Sequence, residues 1–158
     1  MAVNMRDFGA EDLRALGEYA PEALVLPLGD ALSLADLKLR GLLDLPSLAL
    51  AIVVLTALGS PDPLAHHHRD LLWKAFGLPV FEQLRGWDGK VIARECEVHD
   101  GLHFDATTVV AELRGEELIV MGTPTGLSAQ IVCECCQCGI ETPRLCRLGT
   151  GAARVAAA

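Results

Sequence analysis

The chain has 158 residues, 51% of them hydrophobic, enough to bury a substantial core as one domain without disulfide staples. A formal net charge of -8, with no basic stripe to release counterions from phosphates, argues against nucleic acid or an anionic membrane as partner. The opening "MAVNMRDFGAEDLRALGEYA" is mixed and polar, unlike a charged stub leading into an apolar run and a small-residue cleavage site, so a cytoplasmic chain is expected.

Along the chain, "EDLRALGEY" and "SLADLKLRGLL" carry leucines at helical spacing, and Ser33 followed by Asp36 is a weak capping signature. "LALAIVVLTAL", Leu48 to Leu58, is a continuous apolar run with a β-branched centre. It is well short of the about 20 residues that a membrane span requires and reads as a buried parallel strand. "DPLAHHHRDLLWKAFG" predicts an amphipathic helix with Pro63 near its first turn and Gly77 just past its end. Trp73, with Leu72 and Phe76, is expected in the core. His66, His67 and His68 offer possible ligand atoms, but consecutive helical residues point about 100° apart, so a solvated surface is expected there. "LPVFEQL" makes the next strand, and residues 48 to 83 form a strand-helix-strand unit.

From Leu78 onward the apolar runs become short and alternating. "KVIAREC", "LHF", "TTVVAEL" and "ELIVMGT" are broken by "HDG" and "RGE" turns, which predicts an antiparallel sheet or hairpins. Trp87, beside Gly86, is expected as a lid over a hairpin, and "MGTPTG" as a plain turn. Residues 1–150 are expected to form a single domain and residues 151–158 a frayed tail.

The strongest chemistry lies in the second half. "VCECCQCG" places Cys133, Cys135, Cys136 and Cys138 within six consecutive positions, and clustered thiols in a reducing compartment are more often metal ligands or catalytic groups than disulfides. About thirty residues earlier, Cys96 and His103 bound the turn "CEVHDGLH". Two local pairs of soft ligands, distant from one another, are the usual sequence pattern of a structural zinc site. Zinc takes four tetrahedral ligands at about 2.0–2.3 Å; local pairs lower the entropy of assembling them, and the distant pairing clips two hairpins together. In "CQCG", Gly139 can take the positive φ that turns amides toward the thiolates.

Several cysteine pairs could complete the set: Cys133 with Cys136, Cys135 with Cys138, or Cys136 with Cys138. If Val132 to Cys135 continue a strand, Cys133 and Cys135 share a face and Cys136 starts the turn. Cys136 and Cys138 are therefore preferred, with Cys133 in reserve. Three thiolates and a neutral imidazole around zinc would carry a net charge of -1. Cys146 is expected as a small buried apolar side chain. The competing reading makes Cys96 and His103 unrelated core residues beside a tract of free thiols. No Ser-His-Asp or Cys-His nucleophile arrangement stands out, and no catalytic or cofactor-binding residue is assigned. The expected fold class is α/β, with strand-helix-strand units followed by a small, mostly antiparallel β region clipped by the zinc site.

Over roughly residues 48 to 147, the segments "LAIVVLTALGSPDPLAHHHRDLLWKAFGLPVFEQ", "ARECEVHDGLHF", "EELIVMGTPTG" and "CQCGIETPRLCRL" occur in an order that resembles the later part of the large domain of phenylacetate-CoA ligase-like adenylate-forming enzymes. Those enzymes activate a carboxylate with ATP and pass the acyl group to coenzyme A. The resemblance implies that Cys96 and His103, around a "C-E-x-x-x-G-L-H"-like segment, join Cys136 and Cys138 of a "C-x-C-G" knuckle.

Departures from the family pattern bear on activity. Residues 1 to 47 contain neither the Ser/Thr/Gly-rich phosphate loop nor a G-x-x-x-x-G-K-[ST] motif. "RGWDGK" stands where the family carries Tyr-Gly-x-[ST]-Glu, so Glu82 or Asp88 could only approximate its acidic residue. "GLSAQIVCE" lacks the ribose-binding aspartate, and the sequence ends before the domain that carries the catalytic lysine. The expectation is a zinc-binding, non-catalytic module resembling a degenerate fragment of such a ligase. One alternative is a subunit of a split acyl-CoA ligase whose partner chain binds ATP. Another is a thiol-based metal or redox sensor. A protein partner or homo-oligomer is expected from uncovered apolar strand edges, and the sequence names no small-molecule ligand.

Overall fold

The computed structural model of the chain describes residues 6, 8, 12–57, 64–86, 88–104, 111–114, 117–120, 127–132, 136–142 and 144–148. Its elements in chain order are α1 (Leu13–Tyr19), β1 (Ala23–Pro27), α2 (Leu28–Leu39), β2 (Ala51–Ala57), α3 (His66–Phe76), β3 (Val80–Arg85), β4 (Val91–Glu95), β5 (Leu102–Phe104), β6 (Ala111–Arg114), β7 (Glu117–Val120), β8 (Leu127–Val132) and β9 (Arg144–Leu148). The strands form a sheet in the order β1-β2-β3-β4-β5-β9-β8-β7-β6. β1, β2 and β3 run parallel, and the later pairings are antiparallel. This is the expected α/β class, with strand-helix-strand units first and antiparallel strands after.

Side-chain alternation on β2 explains how the helices sit. Ile52, Val54 and Thr56 are buried, while Ala51, Val53 and Leu55 on the other face are half-buried. The buried face packs with Leu28, Ala31 and Ala35 of α2, Leu64 and Leu72 beside and on α3, and Val80 of β3. Removing an isoleucine or leucine side chain from water in such a core stabilises by about 1.5–3 kcal/mol. A second cluster joins Leu16, Leu24, Leu43 and Leu45. The continuous apolar run over residues 48–58 predicted burial on both faces, but only one is fully covered. Val25 of the neighbouring β1 is 49% exposed.

Other expectations change in detail. Ser33 does not cap a helix: α2 starts five residues earlier, directly after Pro27, and the Ser33 hydroxyl donates to the Gly29 carbonyl at 2.9 Å inside it. Short polar side chains bond the preceding turn when they fall mid-helix. Trp73 is not core but 58% exposed. Leu72 is fully buried and Phe76, four residues on, packs against the same core, so Trp73 lies about 100° round the helix from the buried line. His66 and His67 are exposed as expected, while His68 turns back so that its Nδ1 accepts the Ala65 N–H at 3.3 Å. Gly77 ends α3 with φ 67°, its N–H on the Trp73 carbonyl at 2.7 Å. β1 and β9 were not anticipated. Pro63, Trp87, "MGTPTG" and the tail 151–158 lie outside the described residues. No helix among the described residues is long and apolar enough to cross a membrane.

Candidate metal centre

Two turns of the antiparallel region build the site. The first follows β4, where the Cys96 carbonyl accepts the His99 N–H at 3.1 Å and His99 takes a left-handed φ of 56°. β5 then begins, and His103 on it is 2% exposed. The second turn lies between β8 and β9, where the Cys136 carbonyl accepts the Gly139 N–H at 3.0 Å. Gly139 has φ 80°, as the sequence predicted, and the Ile140 N–H reaches the Cys138 Sγ at 3.4 Å. The turns share one shape, a four-residue closure whose last residue is left-handed. They come together because β5 pairs with β9, setting His103 opposite Arg144.

Cys96 Sγ lies 3.7 Å from Cys136 Sγ, and His103 Nε2 lies 3.4 Å from Cys138 Sγ. One ligand atom from each of the four residues falls within 4.8 Å of all the others. Metal–sulfur arms of about 2.3 Å at tetrahedral angles give sulfur–sulfur edges of about 3.8 Å, close to the observed separation. A disulfide would need about 2.05 Å. The four residues therefore lie close enough to bind a metal ion. Cys133 and Cys135 lie outside the described residues, and Cys146 belongs to β9.

The surroundings prepare the donors. His103 Nδ1 is 3.3 Å from Thr142 Oγ1, which leaves Nε2 to face the thiols, the usual way in which an outer partner fixes a ligating imidazole. Thr142 escaped the sequence reading because a threonine in a turn carries no signal of its own. The Arg144 guanidinium holds the first turn from β9, donating to the Asp100 carbonyl at 2.9 Å and pairing with its carboxylate. The Cys138 amide, helped by the Cys138, His103 and Cys96 side chains, lowers the Cys136 thiol to about 6. Burial pushes the Cys138 thiol up. One thiol thus gives up its proton readily, and a bound cation would supply the charge that releases the other. Three sulfurs and one imidazole nitrogen suit zinc, and a set of four protein donors leaves no open position for substrate.

The acidic residues that might have approximated a magnesium ligand have other partners. Glu82 on β3 is buried and accepts the Thr56 hydroxyl at 2.6 Å, and burial raises its carboxyl above the ordinary value. Asp88 is exposed and pairs with Lys90 at 3.0 Å.

Solved structures share the architecture. 2-Hydroxyisobutyryl-CoA ligase, in an open conformation with 2-HIB-AMP and CoA, matches 87% of this chain and 35% of its own length, with a TM-score of 0.67 and 13% identity. The likeness is one of fold. The same ligase in the postadenylation state with R3-HIB-AMP, and in the thioesterification state with 2-HIB-AMP and CoA, gives a TM-score of 0.65 and 14% identity over 87% of this chain and 34% of its own. The chain thus spans about a third of the length of these ligases. The match agrees with the expected resemblance to adenylate-forming enzymes at the level of fold, without singling out the phenylacetate-CoA ligase branch. No protein-family model and no curated protein sequence matches the chain.

Proposed function

We propose that this chain is a cytoplasmic, zinc-binding and non-catalytic module with the fold of part of an adenylate-forming acyl-CoA ligase, in which Cys96, His103, Cys136 and Cys138 hold one structural zinc. The observation that carries this reading is the approach of four soft donors, from two turns far apart in sequence, to within 4.8 Å of one another. Zinc there supplies positive charge and cross-links between two hairpins rather than substrate chemistry. Glu82 and Asp88 are engaged with Thr56 and Lys90, which supports a role apart from ATP-dependent chemistry. Elemental analysis of protein purified without added metal tests the site: one zinc per chain is expected, and less than about a third of an equivalent overturns it. Millimolar ATP with magnesium is expected to leave the melting temperature unchanged, since a ligand that binds the native state would raise it.

A second reading, a subunit of a split ligase, draws support from the incompletely covered face of the parallel strands. Parallel sheets are normally covered on both sides, and here Val25 stays 49% exposed beside half-buried Val53 and Leu55. A co-purifying chain that restores acyl-adenylate formation would establish that reading over the first.

A further inference from the structure

We infer that Glu95 and His99 are positioning residues for the metal centre: together they order the first turn before an ion arrives and so set how tightly it is held. This rests on the zinc reading above and concerns residues that donate nothing to the metal.

Glu95 ends β4 immediately before Cys96, and its side chain is 3% exposed. Three elements converge on its carboxylate. Arg69 of α3 donates through Nη2 to Oε1 at 3.0 Å, the backbone N–H of Glu82 on β3 donates to Oε2 at 2.8 Å, and His99 Nδ1 within the turn lies 3.1 Å from Oε1. Arg69 is itself anchored, with Nη1 on the Val80 carbonyl at 2.7 Å. A carboxylate that has left water needs such partners, and losing one leaves the rest of the cluster uncompensated. The Glu95 group thus ties α3 and β3, the body of the α/β half, to the loop between two ligands.

His99 makes the tie specific. A residue with a side chain at φ 56° is strained, and the matching place in the second turn is filled by Gly139, for which that conformation is free. A histidine persists at the strained place while its ring lies over Phe81, centroids 5.1 Å apart and planes at 22°, and beside the Glu95 carboxylate. With the turn pinned at both points, the ion meets Cys96 and His103 already disposed toward it. The ordering entropy of the loop is then spent in folding rather than in binding.

The experiment titrates the full chain with zinc against a chromophoric chelator, and with cobalt read by its visible d–d bands, for the wild type, Glu95→Gln and His99→Gly. Both variants are expected to retain one equivalent, to bind it about tenfold more weakly, the lower end for loss of an outer-shell partner, and to show broadened cobalt bands. His99→Gly discriminates most sharply, because it relieves the backbone strain. If the ring were merely tolerated, affinity would hold or tighten and the cobalt bands would stay as in the wild type, and that result overturns the inference. Should Glu95→Gln fail to fold, His99→Gly decides alone, since that side chain is 42% exposed. A wild-type chain that takes up no metal overturns the centre itself, a different failure from an ion bound equally well by all three proteins.

Discussion

At the scale of single residues, Thr142 and Glu82 make opposite uses of a hydroxyl. Thr142 stands 3.3 Å behind the His103 ring, so Thr142→Val is expected to keep one zinc while weakening its binding by about 10–100-fold, measurable by chelator competition. Thr56 donates to Glu82 at 2.6 Å, yet burial still raises the Glu82 carboxyl above 4.5. The folded chain therefore holds that proton more strongly than the unfolded one. Its contribution is complete below about pH 4.5 and is lost as pH rises through the raised folded value. Glu82→Gln keeps an acceptor for Thr56 and removes the buried charge, so it is expected to melt higher than the wild type at pH 7, with the gap closing toward pH 4.5. Thermal melts across that window test it, and a gap that widens toward acid would refute the assignment. The four residues that come together, Cys96, His103, Cys136 and Cys138, were legible as a group because cysteine and histidine in local pairs are rare by chance. Thr142 and Glu95 were not, because their roles depend on which strand lies alongside, and residue type does not encode that.

At the scale of elements, α3 shows where periodicity succeeds and where it misleads. Its existence and its stop at Gly77 follow from pattern and breakers, while its first residue, His66, falls later than a helix with Pro63 in its first turn would have it. Its facing does not follow, because the adjacent large apolar residues Leu72 and Trp73 cannot both point inward. Leu72→Ala is expected to cost about 2–5 kcal/mol as a fully buried leucine, and Trp73→Ala to stay within about 0.5 kcal/mol as a surface change; urea unfolding of the two variants distinguishes them. β2, α3 and β3 were readable because long apolar runs outweigh local ambiguity. β1 was not, since "ALVLP" is five residues long and runs directly into a helix. β9 was hidden by arginines in "RLCRL", one of which, Arg144, is buried by its pairing with Asp100. The Ser33 signature failed because Pro27, with its fixed φ, starts α2 earlier without needing a polar cap.

At the scale of the whole molecule, one sheet carries parallel strands at one end and antiparallel strands at the other, and the Cys/His group that could hold a metal lies where the chain returns to itself. β9 pairs with β5, although β6, β7 and β8 intervene in sequence and lie beyond it in the sheet. Cys96 and Cys136 are 40 positions apart, and an ion joining them closes the same loop that the β5–β9 ladder must close. Closing a loop of that length costs on the order of 3 kcal/mol in chain entropy, a cost incurred once for both contacts. Order of events then matters as well as final stability. An ion captured early by one turn and handed to the other would bring β5 and β9 into reach before their ladder exists, converting a slow long-range search into a local one. Refolding from urea is accordingly expected to run faster with stoichiometric zinc than with excess chelator, with the difference in the folding limb as well as the unfolding limb. A chain whose two turns meet late would show the whole effect in unfolding alone.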